Sequence, residues 1–290
     1  MTELDLVARI RRWAGRHPAA GLVRGIGDDC AIVRPRGAAD WLLTTDLMIE
    51  DVHFRRSTAP DALGHKALAR GLSDIAAMGG RPRWCLLSLA LPAWAGPRWV
   101  GAFYKGLLGL ARRTQTALIG GDVSRAAKAA CDIVVVGDVP RGRALRRDGA
   151  RPGDRLFVSG ALGRPWRKHP RPEPRLALGR YLRQSLRATS AMDLSDGLSI
   201  DLHRLCLESN VAASIVFPLP VYPGAGLDAA LHGGEDYELL FTVRRDAKVP
   251  ARHAAIPLTE IGSIRRGRPG DVRLFGRRLE PGGWDHFRRT

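Results

Sequence analysis

Gly64-His-Lys-Ala-Leu-Ala-Arg-Gly-Leu-Ser-Asp-Ile-Ala-Ala-Met78 reads as one helix with two unlike sides. Leu68, Leu72 and Ile75 recur at the spacing that gathers apolar side chains on one face, so this face is predicted to meet a core. Lys66, Arg70 and Asp74 recur at i, i+4 along another side. An ion pair between Asp74 and Arg70 is one reading of that spacing. Aspartate is nevertheless a poor helix former away from a helix start, so a mid-helix Asp74 also reads as a functional carboxylate. On the N-terminal side, Cys30 to Val33 and Trp41 to Thr45 have strand character, the second ending at Asp46. On the C-terminal side, Trp84 to Leu91 reads as a strand. Pro97 opens a helix running to about Arg113. Ala117 to Ile119 is a short strand before Gly120-Gly121-Asp122, and Ile133 to Val136 is a buried one.

The alternation continues in the second half. Leu156 to Val158, Ser214 to Phe217, Leu239 to Val243 and Leu258 to Ile261 read as strands; Leu176 to Leu186 and Gly197 to Leu207 read as helices. The stretch from Pro140 to Asp154 is rich in Arg, Gly and Pro and poor in apolar residues, which marks a boundary. The expectation is two α/β domains, 1–139 and 140–290. Arg164 to Arg175, basic and proline-rich, is expected as an exposed loop. The chain opens with a further helix over its first fifteen residues, in which Thr2 and Asp5 have capping-box spacing and Leu6, Ile10 and Trp13 share a face.

With 290 residues, 45% of them hydrophobic and 26% charged, the chain can build substantial cores. No stretch approaches the roughly 20 apolar residues of a membrane helix, and no apolar signal core opens the sequence. A cytoplasmic protein with no membrane partner is expected. Cys30, Cys85, Cys131 and Cys206 are widely spaced and form no C-x-x-C pair, so zinc and redox motifs are not indicated. The net charge of +17 raises nucleic-acid binding. However, the arginines are scattered, and lysine occurs only at 66, 105, 128, 168 and 248. No nucleic-acid partner is therefore expected, although a basic protein attracts phosphorylated small molecules.

Against that charge, the few acidic residues are informative. Asp28-Asp29, Asp46, Glu50-Asp51, Asp74, Asp122, Asp193, Asp196 and Glu235-Asp236 mostly sit at strand ends, turns or helix starts, several beside glycine. Magnesium takes hard oxygen ligands, usually one or two carboxylates completed by water and phosphate. Glycines let backbone approach a phosphate. Singly, each has a plainer reading: a turn for Asp28-Asp29, for Gly120-Gly121-Asp122 and for Gly233-Gly234-Glu235-Asp236, a strand end for Asp46, a helix N-cap for Ser195 or Asp196. Residue chemistry alone reaches a metal and phosphate site and no further.

Taken in order, the motifs resemble those of thiamine-monophosphate kinases. They are Gly25-Ile-Gly-Asp-Asp-Cys-Ala31; Thr44-Thr-Asp46 with His53-Phe54; Lys66-Ala-Leu-Ala69 with Leu72-Ser-Asp-Ile-Ala-Ala-Met-Gly79; Ile119-Gly-Gly-Asp122; Gly142-Arg-Ala-Leu145; Asp193-Leu-Ser-Asp-Gly197; Gly233-Gly-Glu-Asp-Tyr-Glu-Leu239; and Trp284-Asp-His-Phe287. The resemblance implies two α/β domains of the aminoimidazole-ribonucleotide-synthetase-like type and a homodimer formed through the first. It implies direct, Mg²⁺-dependent transfer of the ATP γ-phosphoryl to thiamine monophosphate, giving thiamine diphosphate and ADP without a covalent enzyme intermediate. Carried over by position, Asp29, Thr44, Thr45, Asp46, Asp74, Asp122, Asp193 and Asp196 would hold several Mg²⁺ ions. Gly121, Asp122, Arg147 and Ser195 would meet ATP. His53, Glu235 and Trp284 would meet the thiamine end.

One stretch departs from the pattern. Where such kinases carry G-x-x-G-D-S and then a helix, this chain has Ser159-Gly-Ala-Leu-Gly-Arg-Pro-Trp166, which lacks the Asp-Ser pair. The second domain is thus expected to be reduced and substrate affinity weakened. The alternatives are another ATP-dependent member of the superfamily, of the purine-precursor or selenophosphate synthetase type, or a non-catalytic thiamine-phosphate or ATP-binding protein.

Overall fold

The computed structural model describes residues 2–15, 19–164 and 170–287. Its centre is the helix on which the sequence turned, α2 (Pro60–Ala77), begun by a proline in its first turn. Leu68, Leu72 and Ile75 have no exposed surface. Each contributes about 1.5–3 kcal/mol by leaving water. Beside α2 lies α3 (Pro97–Thr114). The two approach so closely that a Cβ on Gly106 would lie 1.7 Å from the Asp61 carbonyl oxygen.

These helices cover one face of a sheet ordered β1 (Leu22–Arg24), β2 (Ala31–Val33), β3 (Ala39–Ile49), β6 (Ala130–Pro140), β4 (Arg81–Leu91), β5 (Ala117–Arg125). Only the β4–β5 pairing is parallel. Strand periodicity sorts β3 cleanly. Leu42 and Met48 are buried on the helix side, while Leu43, Thr45 and Leu47 face outward. The strand continues through Asp46 to Ile49, so Asp46 is mid-strand and not the strand end expected from sequence. β5 likewise runs through Gly120-Gly121-Asp122, which sequence composition suggested was a turn. The backbone itself requires Gly121: φ is 153°, and a Cβ there would lie 1.9 Å from the Leu87 carbonyl oxygen of β4.

The second sheet follows the order β14 (Arg277–Arg278), β13 (Val272–Leu274), β9 (Ala212–Ile215), β12 (Ile256–Arg265), β7 (Arg155–Ser159), β10 (Leu239–Val243), β8 (Ser190–Asp193), with β11 (Arg252–His253) paired to β12. It is antiparallel except for β9–β13. One core joins this sheet to α5 (Leu198–Glu208) and α6 (Leu227–His232). The opposite face packs on α4 (Leu176–Tyr181) and on Ala77 at the end of α2. α2 is thereby held between the two sheets, and Leu176 in turn reaches the first core. The expected exposed loop over 164–175 is only partly described; its far end docks on the first half. The Pro172 carbonyl lies 2.9 Å from His65 Nε2, and Arg171 pairs with Asp61. Buried Glu238 takes the Arg175 guanidinium and the Ser159 hydroxyl. The Asp236 carboxylate accepts the N–H groups of Gly163 and Arg164, where the departure from the family pattern begins; Pro165 and Trp166 lie outside the described residues.

At the N-terminus, α1 (Glu3–Ala14) carries the anticipated capping box of Thr2 and Asp5. None of its residues is buried: Ile10 is 41% and Trp13 51% exposed. Strands β1, β8, β11, β13 and β14 and helix α6 were not anticipated, being two to six residues long and below what periodicity resolves. No described helix is long and apolar enough to cross a membrane.

Candidate active site

A cleft of about 640 Å³ opens where β3, α2, the β8–α5 turn and the C-terminal segment meet. Asp74 and Asp193 line it, and Asp29, whose side chain is fully covered, converges on them, with one carboxylate oxygen from each lying within 4.8 Å of the others. Each comes from a different element: the loop before β2, the middle of α2, and the end of β8. The surroundings orient them. Thr44 Oγ donates to Asp74 at 2.5 Å and Ser73 Oγ to Asp193 at 2.7 Å. Burial, with the neighbouring carboxylates second, pushes the Asp74 and Asp193 carboxyls well above the usual range. Asp29 receives Arg147 Nη2 at 2.6 Å on one oxygen, while its Oδ2 is buried with no hydrogen-bond partner. Three crowded hard-oxygen donors, one of them orphaned, suit a divalent cation of the magnesium type.

Around these carboxylates stand further residues singled out from sequence. Thr45, Asp46, His53, Asp74, Asp193, Ser195, Asp196, Glu235 and Trp284 all line the cleft. Asp46 is held by Arg70 Nη2 at 2.7 Å. The Asp74–Arg70 pairing allowed by helix spacing is thus not the one formed: Thr44 serves Asp74, and Arg70 reaches across to β3. Neither Ser195 nor Asp196 caps α5. That position is Gly197, at φ 120°, and the N–H groups of Asp196 and Gly197 are taken by the Asp201 carboxylate one turn on. Asp196 pairs instead with Arg204, which also reaches Asp201 at 3.1 Å. Glu235 receives Lys66 Nζ at 2.6 Å.

His53 Nδ1 accepts the Ile49 N–H at 3.1 Å, so in the neutral ring the proton resides on Nε2. Burial, then the positive charge of Arg70, pulls its pKa down to about 4. Its ring lies 5.1 Å from that of His286, which accepts the Trp284 indole N–H at 3.2 Å. Together they form an aromatic group on the cleft that Glu235 also lines.

The remaining candidates lie elsewhere. Arg147 is behind Asp29 and not on the cleft wall. Gly121 and Asp122 lie on β5, and Asp122 lines a separate hollow of about 160 Å³ with Ser124 and Asp132. Thr45, which also lines the main cleft, donates to Asp132 at 2.7 Å, so the two depressions adjoin across β3. Sequence reasoning did not single out Arg70, Arg204, Tyr237 or His286 as site residues. Arg70 carried a usable signal, a guanidinium amid a mostly buried helix; Arg204 looked like an ordinary helix-surface charge.

Residues 27–139 match the family described as AIR synthase related protein, N-terminal domain. The two-sheet fold is that of this class. A hydrogenase maturation protein HypE shares the fold at a TM-score of 0.68 and 16% identity. More specifically, the chain belongs to the thiamine-monophosphate kinase family. It is 34% identical to the thiamine-monophosphate kinase of Bacillus subtilis over 99% of this chain and 100% of that one. It superposes on AaThiL complexed with AMPPCP and TMP with a TM-score of 0.87 and 33% identity, covering 99% of this chain and 97% of that one.

Proposed function

We propose that this protein transfers the γ-phosphoryl group of ATP directly to the phosphate of thiamine monophosphate, yielding thiamine diphosphate and ADP. The observation that carries the reading is the convergence of Asp29, Asp74 and Asp193 at an open cleft, in a chain of this family. An oxygen of the acceptor phosphate forms the new P–O bond. The bond from the γ-phosphorus to the bridging oxygen breaks, and its electron pair leaves with ADP. The acceptor is already a competent nucleophile, so no side chain need become covalently attached. What remains for the chain is positioning and charge neutralisation.

Asp29, Asp74 and Asp193, with Asp46 and Asp196 nearby, would hold Mg²⁺, which supplies positive charge against the phosphates. On the opposite wall, Glu235 suits the cationic thiamine ring system, Trp284 and His286 offer aromatic faces, and His53 offers a neutral Nε2–H donor. Incubation with Mg-ATP and thiamine monophosphate, with product separated by chromatography, tests the reading. Absence of thiamine diphosphate would sink it.

We further infer that the working form is a homodimer. The outer face of the first sheet exposes Leu43, Leu47 and Leu86, and its edge strand β5 exposes Ile119 at 58% and Val123 at 60%. Such a face suits a second copy of itself. Gly121 and Asp122 lie on that edge, so a partner would complete the hollow that Asp122 lines and bring it into the ATP site. Cys30, Cys85, Cys131 and Cys206 are free and buried, which fits a reducing cytoplasm.

A further inference from the structure

Transfer between two phosphates brings like charges together. A cation on the acceptor side is therefore needed as well as metal on the donor side. The cleft wall carries two cationic side chains, Arg55 and Arg70. Arg55 is 59% exposed at the rim, 3.9 Å from Asp51. Arg70 is only 16% exposed and sits deep. Tyr237, Asp46, Glu235 and Asp74 all lie near enough for their charges to act on it. Other covered cations are committed, among them Lys66 to Glu235, Arg204 to Asp196 and Asp201, Arg147 to Asp29 and Arg24 to Glu208. Arg70 is anchored by Nη2 to Asp46 at 2.7 Å and by Nη1 to the Leu47 carbonyl at 3.4 Å. Neither contact uses Nε–H.

We propose that Arg70 is a further catalytic residue, whose guanidinium binds the acceptor phosphate between the metal carboxylates and the Glu235–Trp284 wall. The inference rests on the kinase reading above. The fork of N–H donors takes two non-attacking phosphate oxygens, leaving the third to form the bond to the γ-phosphorus. No proton moves. Asp46 fixes the plane of the guanidinium, so one side chain links the metal end of the cleft to the acceptor end.

Calorimetric titration of the protein without ATP, using thiamine monophosphate and thiamine in parallel, isolates the phosphate contact. In Arg70→Ala, affinity for thiamine monophosphate is expected to fall about tenfold or more, with thiamine binding unchanged. Added guanidinium should restore part of the lost turnover. Arg70→Lys, which keeps the charge but not the fork, should show a smaller loss with the same ligand selectivity. It serves as the test should the alanine variant fold poorly. Equal losses for both ligands, or an unchanged affinity for thiamine monophosphate, would overturn the assignment. Failure of the unaltered protein to phosphorylate thiamine monophosphate would instead remove the underlying functional reading.

Discussion

Arg147 Nη2 lies 2.6 Å from Asp29 Oδ1, and this ion pair joins the segment after the first sheet to the loop that carries a metal-cluster carboxylate. The Asp29 side chain is fully covered, and that of Arg147 is 19% exposed. The same arginine's backbone N–H donates to Asp28, whose carboxyl burial pushes up to about 7. Deleting one member of a buried pair strands the other charge. Arg147→Ala is expected to lower unfolding free energy by about 3–5 kcal/mol, measured by urea denaturation, with Arg147→Lys losing less. A loss below about 1 kcal/mol, the size of an exposed pair, would contradict this.

Asp74 and Asp193 set the pH dependence. Their folded carboxyl pKa values are raised by burial, so above the ordinary aspartate value of about 3.9 the folded state binds more protons than the unfolded one. These groups therefore favour folding at low pH, and that contribution is lost as pH rises through their folded values. Metal must displace the same protons, so Mn²⁺ affinity should fall as pH falls. Asp74→Asn should raise the Tm of the metal-free protein at neutral pH and abolish the Tm increase caused by Mn²⁺. Thermal unfolding with and without the ion checks both signs in one experiment.

How far could this site be read beforehand? Asp74 stood out because aspartate is unfavourable inside a helix, and ordered motifs supplied Asp29 and Asp193. The partners did not stand out. Helix spacing offered Arg70 to Asp74, but a guanidinium on a long stem reached β3 instead, because Thr44 was close enough to satisfy Asp74. The turn chemistry of Ser195-Asp196 was equally persuasive and equally local. It lost to Asp201, whose side chain reaches back one turn to the same N–H groups. Core helices and long strands were legible because periodicity is intrinsic to the chain. Pairings between elements distant in sequence depend on the packed geometry, which no window of sequence contains.

The α2–α3 contact supports the site from behind. Because a Cβ at Gly106 would lie 1.7 Å from the Asp61 carbonyl oxygen, the helices must separate to admit it. Separation would tilt α2, which carries Lys66, Arg70 and Asp74. Gly106→Ala, which improves helix propensity in isolation, is expected instead to destabilise by about 1–3 kcal/mol and to weaken metal binding. An unchanged Tm would show that the helices can yield at no cost.

The proposed dimer makes a prediction about the hollow across β3. Leu47, Asp132, Ser88 and Asp122 occupy one row across β3, β6, β4 and β5 in the observed register. This row ends on β5, the outer strand of the sheet, where Ile119 and Val123 are exposed. Placing a charge on that strand leaves the core untouched but puts an unpaired ion into any interface built there. Val123→Asp is therefore expected to give a monomer by light scattering, with Tm nearly unchanged at low protein concentration. If Asp122 reaches ATP only across a subunit boundary, the same variant should raise the KM for ATP more than that for thiamine monophosphate. A variant that stays dimeric would overturn the β5 interface, and a monomer with unaltered ATP kinetics would place the ATP site wholly within one chain.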